Sequence, residues 1–107
     1  MKNEDIELSS QLAYSIGWAL KNIRVSHGIV WVGVGKHKKP FSYKDPAILW
    51  ALAVAYDAFP FQSASVVEKG WLASSGKTLK IQSSMATSPE KATALAIIEA
   101  SKTYRPF

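Results

Sequence analysis

The stretch DPAILWALAVAYDAF at residues 45–59 decides the fold, because it predicts a helix that is apolar almost all round. Asp45 can accept hydrogen bonds from the free N–H groups of the first turn, and Pro46 at the first helical position needs no donor. Pro60 is expected to end the helix near Phe59. A helix with so few polar side chains should be buried on more than one side, so the other elements are expected to pack around it.

The segments before this helix predict a helix, a strand and a basic loop. Residues 5–23 repeat apolar side chains every three or four positions, which indicates a first helix with one apolar face. Residues 28–35, GIVWVGVG, are rich in β-branched and aromatic side chains and predict a strand. The polar run KHKKP at residues 36–40 follows and is expected to form an exposed basic loop.

The segments after the apolar helix predict strands and a closing helix. SASVVEKGWLASS and KTLKIQSSM, at residues 63–75 and 77–85, alternate in part and predict one or two strands with a hairpin. Ser88, Pro89 and Glu90 are typical of a helix start, so the last helix should begin there. The residues TYRPF at 103–107 are expected to be loose.

This order of elements predicts a small α+β protein. With 107 residues and an apolar fraction of 48%, the chain suits one domain with one hydrophobic core. We expect a single domain over residues 1–107, with its core at about 5–102, in the order α-β-α-β-β-α. A small, largely antiparallel sheet with helices packed on it, an α-β-α sandwich, gives each element a surface against which to bury its apolar face.

The net charge of +5 is concentrated in one segment. Residues 21–44 contain six lysine and arginine side chains and no carboxylate, which favours polyanions or acidic protein faces as partners. The first residues, MKNEDIELSS, are too polar for a secretory signal, and no apolar run approaches the roughly 18 residues that span a bilayer. Since the chain also has no cysteine, we expect a cytoplasmic protein without a membrane partner.

The basic and aromatic residues between positions 36 and 44 form the strongest candidate binding site. The lysines offer mobile cations for phosphates, and aromatic rings, Trp31 among them, can stack on bases. The alternatives left open are a solvated loop and contact with an acidic protein face. The candidate binding residues are Lys36, His37, Lys38, Lys39, Phe41, Tyr43 and Lys44.

The sequence predicts no catalytic, cofactor or metal site. Its eight carboxylates stand near no serine, histidine or second acid in an arrangement typical of shared catalysis. The two histidines, His27 and His37, lack further ligands at the spacing of a zinc site. The segment SSGKT at residues 74–78 resembles the end of a phosphate-binding loop, but the first glycine of that motif is out of register, so a hairpin turn is expected.

Three patterns resemble one family of small phage and prophage domains. PFSYKDPAILWAL at residues 40–52, the Gly-Trp pair at 70–71 and TSPEKATALAIIEA at 87–100 are similar to the phage ABA sandwich family, in which a tyrosine-led turn enters an Ala- and Trp-containing helix. The resemblance covers roughly residues 6–102. It implies an α-β-α sandwich and an accessory protein of a phage, prophage or mobile element, and it carries over no catalytic residue.

Two main hypotheses about function follow, and a third, an enzyme or small-ligand sensor, would require a deep polar pocket with convergent titratable groups. The first is a non-enzymatic phage or mobile-element protein that binds a host protein or ribonucleoprotein complex in the bacterial cytoplasm and inhibits a host defence, in the manner of an anti-CRISPR protein. The alternative is a small basic module that binds nucleic acid through the segment at residues 36–44. Homo-oligomerisation is left open. The four tryptophans are expected to pack in the core, whereas an exposed tryptophan would be typical of an interface.

Overall fold

The computed structural model describes residues 3–62, 70–76, 80–81 and 86–106. These residues form three α-helices, one short 3₁₀ helix and six strands, which confirms the predicted α+β class. In chain order the elements are α1 (Asn3–Ser15), the 3₁₀ helix (Leu20–Asn22), β1 (Ile23–Ser26), β2 (Ile29–Val34), β3 (His37–Pro40), α2 (Pro46–Tyr56), β4 (Ala58–Gln62), β5 (Trp71–Ser75), β6 (Lys80–Ile81) and α3 (Pro89–Ser101).

The strands form two separate antiparallel sheets, where the sequence predicted one. The first sheet has the order β1-β2-β3 and the second the order β4-β5-β6. The helix α2 lies between the two groups of strands in the sequence, so each group pairs through short connections with its own neighbours. The pairing of β5 with β6 agrees with the predicted hairpin, whereas residues 63–69, 77–79 and 82–85 of the predicted strands lie outside the described residues.

The helix α3 is the centre of the packing. It contacts α1, α2 and the second sheet, while α1 packs against β1 and β2 of the first sheet. Small side chains allow these close approaches, because the backbone of a neighbouring element can pack close to an alanine. The buried alanines of α3 are Ala92, Ala94, Ala96 and Ala100.

The first helix is shorter than predicted. It ends at Ser15 instead of continuing to Ile23, and the chain turns at Gly17, whose φ is +117°. Glycine adopts this conformation without the steric cost that other residues pay. The apolar periodicity beyond this point does not mark a helical face, because Leu20 is exposed and Ile23 begins β1.

The predicted start of α2 is confirmed, and its predicted end is wrong. The Asp45 side chain accepts a hydrogen bond from the Ala47 N–H at 3.0 Å, and Pro46 occupies the first turn. The helix ends at Tyr56 because Asp57 adopts a left-handed conformation with φ of 51°. Pro60 therefore lies in β4 and does not stop the helix.

The expectation that α2 is buried on more than one side is also corrected. Leu49, Leu52, Ala53 and Tyr56 face the core, but Val54 is 72% exposed, and Ala51 is exposed as well. Among the described elements, α2 packs mainly against α3 and β4.

The closing helix begins as predicted. The Ser88 hydroxyl accepts a hydrogen bond from the Lys91 N–H at 3.2 Å, and Pro89 is the first residue. After the helix, Tyr104 packs edge-on against Tyr56 with 6.0 Å between ring centroids, so this part of the predicted loose tail contacts the core. None of the helices in the described part of the chain combines the length and apolar character that a membrane span requires.

Candidate functional site

The predicted basic loop is a strand. His37 to Pro40 form β3, which pairs antiparallel with β2, and Lys36 lies in the two-residue turn before it. Gly35 adopts φ of 59° in this turn, which lets the chain reverse directly after β2. Lysines are common on edge strands, where their charge opposes pairing with other chains, and β3 is an edge of the first sheet.

The hairpins of the first sheet depend on backbone conformations that few residues adopt. His27 and Gly28 join β1 to β2 with φ of 54° and 74°, as a type I′ turn requires at its two central positions. Within β2, Gly33 has φ of +137°, and a Cβ atom there would collide with the carbonyl oxygen of His37. The backbones of β2 and β3 therefore approach closely at this point.

The strand register brings two cations to the same face as a tryptophan. Arg24 of β1 is paired with Trp31 of β2, and Lys38 of β3 is paired with Gly33, two residues beyond Trp31. Paired residues, and residues two apart, project from the same face of a sheet. Arg24, Trp31 and Lys38 line one hollow. We call these three residues the basic-aromatic face.

Trp31 differs from the other three tryptophans. Trp18, Trp50 and Trp71 pack against the core, whereas Trp31 is half-buried and is not part of that packing. The cause is the alternation along β2, since Val30 and Val32 on either side of Trp31 are buried in the core and face α1. The ring of Trp31 is therefore held on the opposite face of the first sheet.

The ion pairs of the described residues leave the cations of the first sheet unpaired. Within those residues, the three ion pairs are Lys44 with Asp5, Lys91 with Glu4, and Lys102 with Glu99, and all lie outside the first sheet. The cations on or beside the first sheet take part in none of these pairs, and their side chains are exposed to solvent. These unpaired cations are Lys21, Arg24, Lys36, Lys38 and Lys39.

The predicted aromatic binding residues lie in the core. Phe41 is 5% exposed and Tyr43 is 2% exposed, so neither ring is available to stack on a base in this structure. The Phe41 N–H donates to the Val30 carbonyl at 2.8 Å, so the pairing with β2 extends one residue beyond Pro40, and the Phe41 ring lies among core residues. Trp31 is instead the aromatic residue beside the cations.

Tyr43 and Lys44 belong to a polar lock between α1 and the start of α2. The Tyr43 hydroxyl donates to Asp5 Oδ1 at 2.5 Å, and Lys44 Nζ lies 2.8 Å from Asp5 Oδ2. The Tyr43 N–H also donates to the Ser9 hydroxyl at 3.2 Å. Burial raises the pKa of Tyr43 well above its ordinary value, and the hydrogen bond to Asp5 is the second-largest cause, so the phenol stays protonated.

The remaining predicted site residues are exposed on the first sheet. His37 is paired with Val34 and Lys39 with Val32, so these two side chains alternate with Lys38 and leave the sheet on the other face. Lys36 stands at the tip of the second hairpin. Among the described residues, no three histidine, aspartate or glutamate side chains come together in the manner of a metal site.

Arg24 is a member of this face that sequence analysis did not select. The apolar spacing over residues 5–23 predicts a helix that ends beside Arg24, so it does not place this cation on a strand. The missed signal is the dipeptide His27-Gly28 between two β-branched runs, IRVS and IVWV, because a residue that favours or tolerates positive φ followed by glycine is typical of a two-residue hairpin.

Comparison with family models, with curated proteins and with solved structures finds no match to this chain. The resemblance to the phage ABA sandwich family stays a prediction.

Proposed function

We propose that this protein is a non-enzymatic binding protein that holds nucleic acid through its phosphates on the first sheet. The observation that carries the proposal is the placement of Arg24 and Lys38 on either side of Trp31, with no ion pair to a carboxylate among the described residues. Cations that are not neutralised internally can replace the counterions of a polyanion, and the release of those counterions favours binding.

The number of phosphate contacts follows from the face that each cation occupies. Arg24 and Lys38 share the basic-aromatic face, and Lys36 stands at the hairpin tip. The Lys39 side chain projects from the opposite face of the sheet, so it adds to the positive electrostatic field without contacting a phosphate. Three contacts correspond to a slope of roughly −2 to −3 in a plot of log K against log salt concentration.

Charge reversal tests this proposal. Lys38→Glu should weaken binding to nucleic acid and make the salt slope less steep by at least about 1, because one phosphate contact is lost. The triple variant Lys36→Glu, Lys38→Glu, Lys39→Glu should abolish binding at low salt and leave the thermal midpoint close to that of the wild type, since exposed substitutions usually change stability by about 0.5 kcal/mol or less.

Lys102→Glu is the charge control, because it changes the net charge by the same amount as Lys38→Glu at an exposed position outside the first sheet, where Lys102 pairs with Glu99. Fluorescence anisotropy with labelled oligonucleotides, repeated at several salt concentrations, measures both affinity and slope. Equal effects of Lys38→Glu and Lys102→Glu would mean that only net charge matters and would contradict a site on the first sheet.

A second candidate function is the phage or mobile-element inhibitor that occupies a host protein surface. The observation that favours it is exposed apolar surface outside the first sheet: Val54 on α2, whose eleven residues carry no charge, and Phe59 and Phe61 on β4. Such surface is typical of protein interfaces. Binding of a purified host complex that the triple lysine variant leaves unchanged would support this candidate over the first.

A further inference from the structure

We infer that the nucleic acid on the basic-aromatic face is single-stranded, with an unpaired base stacked on Trp31 and flanking phosphates at Arg24 and Lys38. This inference rests on the proposed function and adds the class of nucleic acid and the residue that selects it. Three features of the described residues support it: the order of the side chains across the sheet, the surroundings of Trp31, and the charges of the helices.

The order of side chains across the sheet is cation, aromatic ring, cation. Arg24 lies on β1, Trp31 on the central strand β2 and Lys38 on β3. Neighbouring strands are about 4.8 Å apart, so the two cation-bearing strands are separated by about 10 Å, and long side chains can adjust this spacing further. A single strand offers the matching alternation of phosphate, base and phosphate.

Trp31 is half-buried, and the part of its side chain that is not covered borders a hollow on the first sheet. The ring belongs to no part of the core packing, and the hollow around it is lined by Arg24, Val25, Ser26 and Lys38. In a duplex the faces of the bases are covered by their neighbours, so a ring fixed on a sheet reaches them only when the base is unpaired. A duplex would engage the two cations and leave Trp31 unused.

The described helices carry no cluster of cations that could read a groove. Helices α1 and α2 contain no lysine or arginine, and the one lysine of α3, Lys91, pairs with Glu4. Helical readers of the major groove place basic and amide side chains along the inserted helix. The grouped cations of the described chain therefore lie on the first sheet and not on a helix, and the aromatic ring on its central strand favours a single strand.

The test measures how tightly the full chain binds three probes. They are an oligothymidylate of about 12 nucleotides, within the range that small sheet-based sites bind, a duplex of the same length, and inorganic polyphosphate, which has phosphates and no bases. The wild-type protein should bind the oligothymidylate more tightly than the duplex. Trp31→Ala should weaken oligothymidylate binding by roughly 5- to 150-fold and leave the salt slope unchanged, because stacking carries no charge.

Two further variants control for folding and for aromatic content. Trp31→Phe should keep most of the affinity, since a smaller ring still stacks, and Trp31→Leu should lose it while keeping apolar bulk. Tyr14→Ala removes a ring that is 56% exposed on α1 and should bind as the wild type does. Trp31→Leu replaces Trp31→Ala in the comparison if the alanine variant is unfolded by circular dichroism.

The outcomes separate the inference from the proposed function. Polyphosphate or duplex binding that equals oligothymidylate binding, together with wild-type affinity in Trp31→Leu, would overturn the single-strand inference and leave phosphate binding intact. No salt-dependent binding of any of the three probes would overturn the proposed function and the inference with it. Wild-type binding of an acidic protein partner in the absence of nucleic-acid binding would assign the basic face to protein recognition.

Discussion

Replacing Tyr43 with phenylalanine should reduce stability without affecting binding, because the hydroxyl belongs to the polar lock and not to the basic-aromatic face. The Tyr43 side chain is 2% exposed, and its hydroxyl donates to Asp5 Oδ1 at 2.5 Å. Asp5 is itself buried. The substitution removes one oxygen and leaves the ring in place, so it tests the hydrogen bond with little change in packing.

The expected loss follows from the charge of the acceptor. A hydrogen bond to an ionised group contributes about 1.5–3 kcal/mol, and the buried Asp5 carboxylate would lose that donor. Lys44 remains 2.8 Å from the other carboxylate oxygen and limits the damage. We therefore expect the free energy of unfolding to fall by about 2 kcal/mol, a large share of the 5–15 kcal/mol typical of a domain this size.

Urea denaturation at pH 7, followed by circular dichroism, measures this loss. With a slope of about 1–3 kcal/mol per molar urea, the midpoint should fall by roughly 0.7 to 2 M. Tyr14→Phe makes the same chemical change at an exposed tyrosine and should stay within about 0.5 kcal/mol of the wild type. A Tyr43→Phe midpoint equal to that of Tyr14→Phe would refute the lock, and reduced oligonucleotide binding by a folded Tyr43→Phe protein would return Tyr43 to the binding site.

Two further predictions concern alkaline pH and the first sheet. Burial raises the pKa of both Tyr43 and Tyr56 in the folded state, so the tyrosines of the unfolded chain ionise first. The free energy of unfolding should therefore be constant up to about pH 10 and fall above it. Tyr43→Phe should make this fall shallower in urea titrations from about pH 8 to 11. Gly33→Ala should lower stability by roughly 1–3 kcal/mol and weaken oligonucleotide binding, because its Cβ would collide with the His37 backbone at a φ of +137°. Gly35→Ala, whose Cβ meets open space at a φ of +59°, should cost less in thermal unfolding, and equal losses in the two variants would contradict the close approach of β2 and β3.

The charge of the candidate site could be predicted from the sequence, but the aromatic residue that lies beside those charges could not. The run of lysines at residues 36–39 identified the basic segment, because charge does not depend on how the chain folds. The sequence did not show that Phe41 and Tyr43 turn inward while Trp31 turns outward, since the face that a strand residue occupies depends on which side of the sheet is covered. Here α1 covers the side that carries Val30 and Val32.

Local signals account for the parts of the fold that could be derived from the residues alone. The caps at Asp45 and Ser88 and the strand near Val30 depend on interactions within a few positions of the chain, and each was found where it was expected. The apolar spacing from Asp5 to Ile23 misled because periodicity carries no information about the backbone reversal at Gly17.

Tertiary packing decided the rest. Whether six strands form one sheet or two, and whether a tryptophan faces the core or the solvent, depends on contacts between residues far apart in sequence. Arg24 and Lys38 flank Trp31 only because both hairpins of the first sheet keep one register, and a shift of one residue in either would send a cation to the opposite face. The basic charge is therefore a property of the composition, and the basic-aromatic face is a property of the folded sheet.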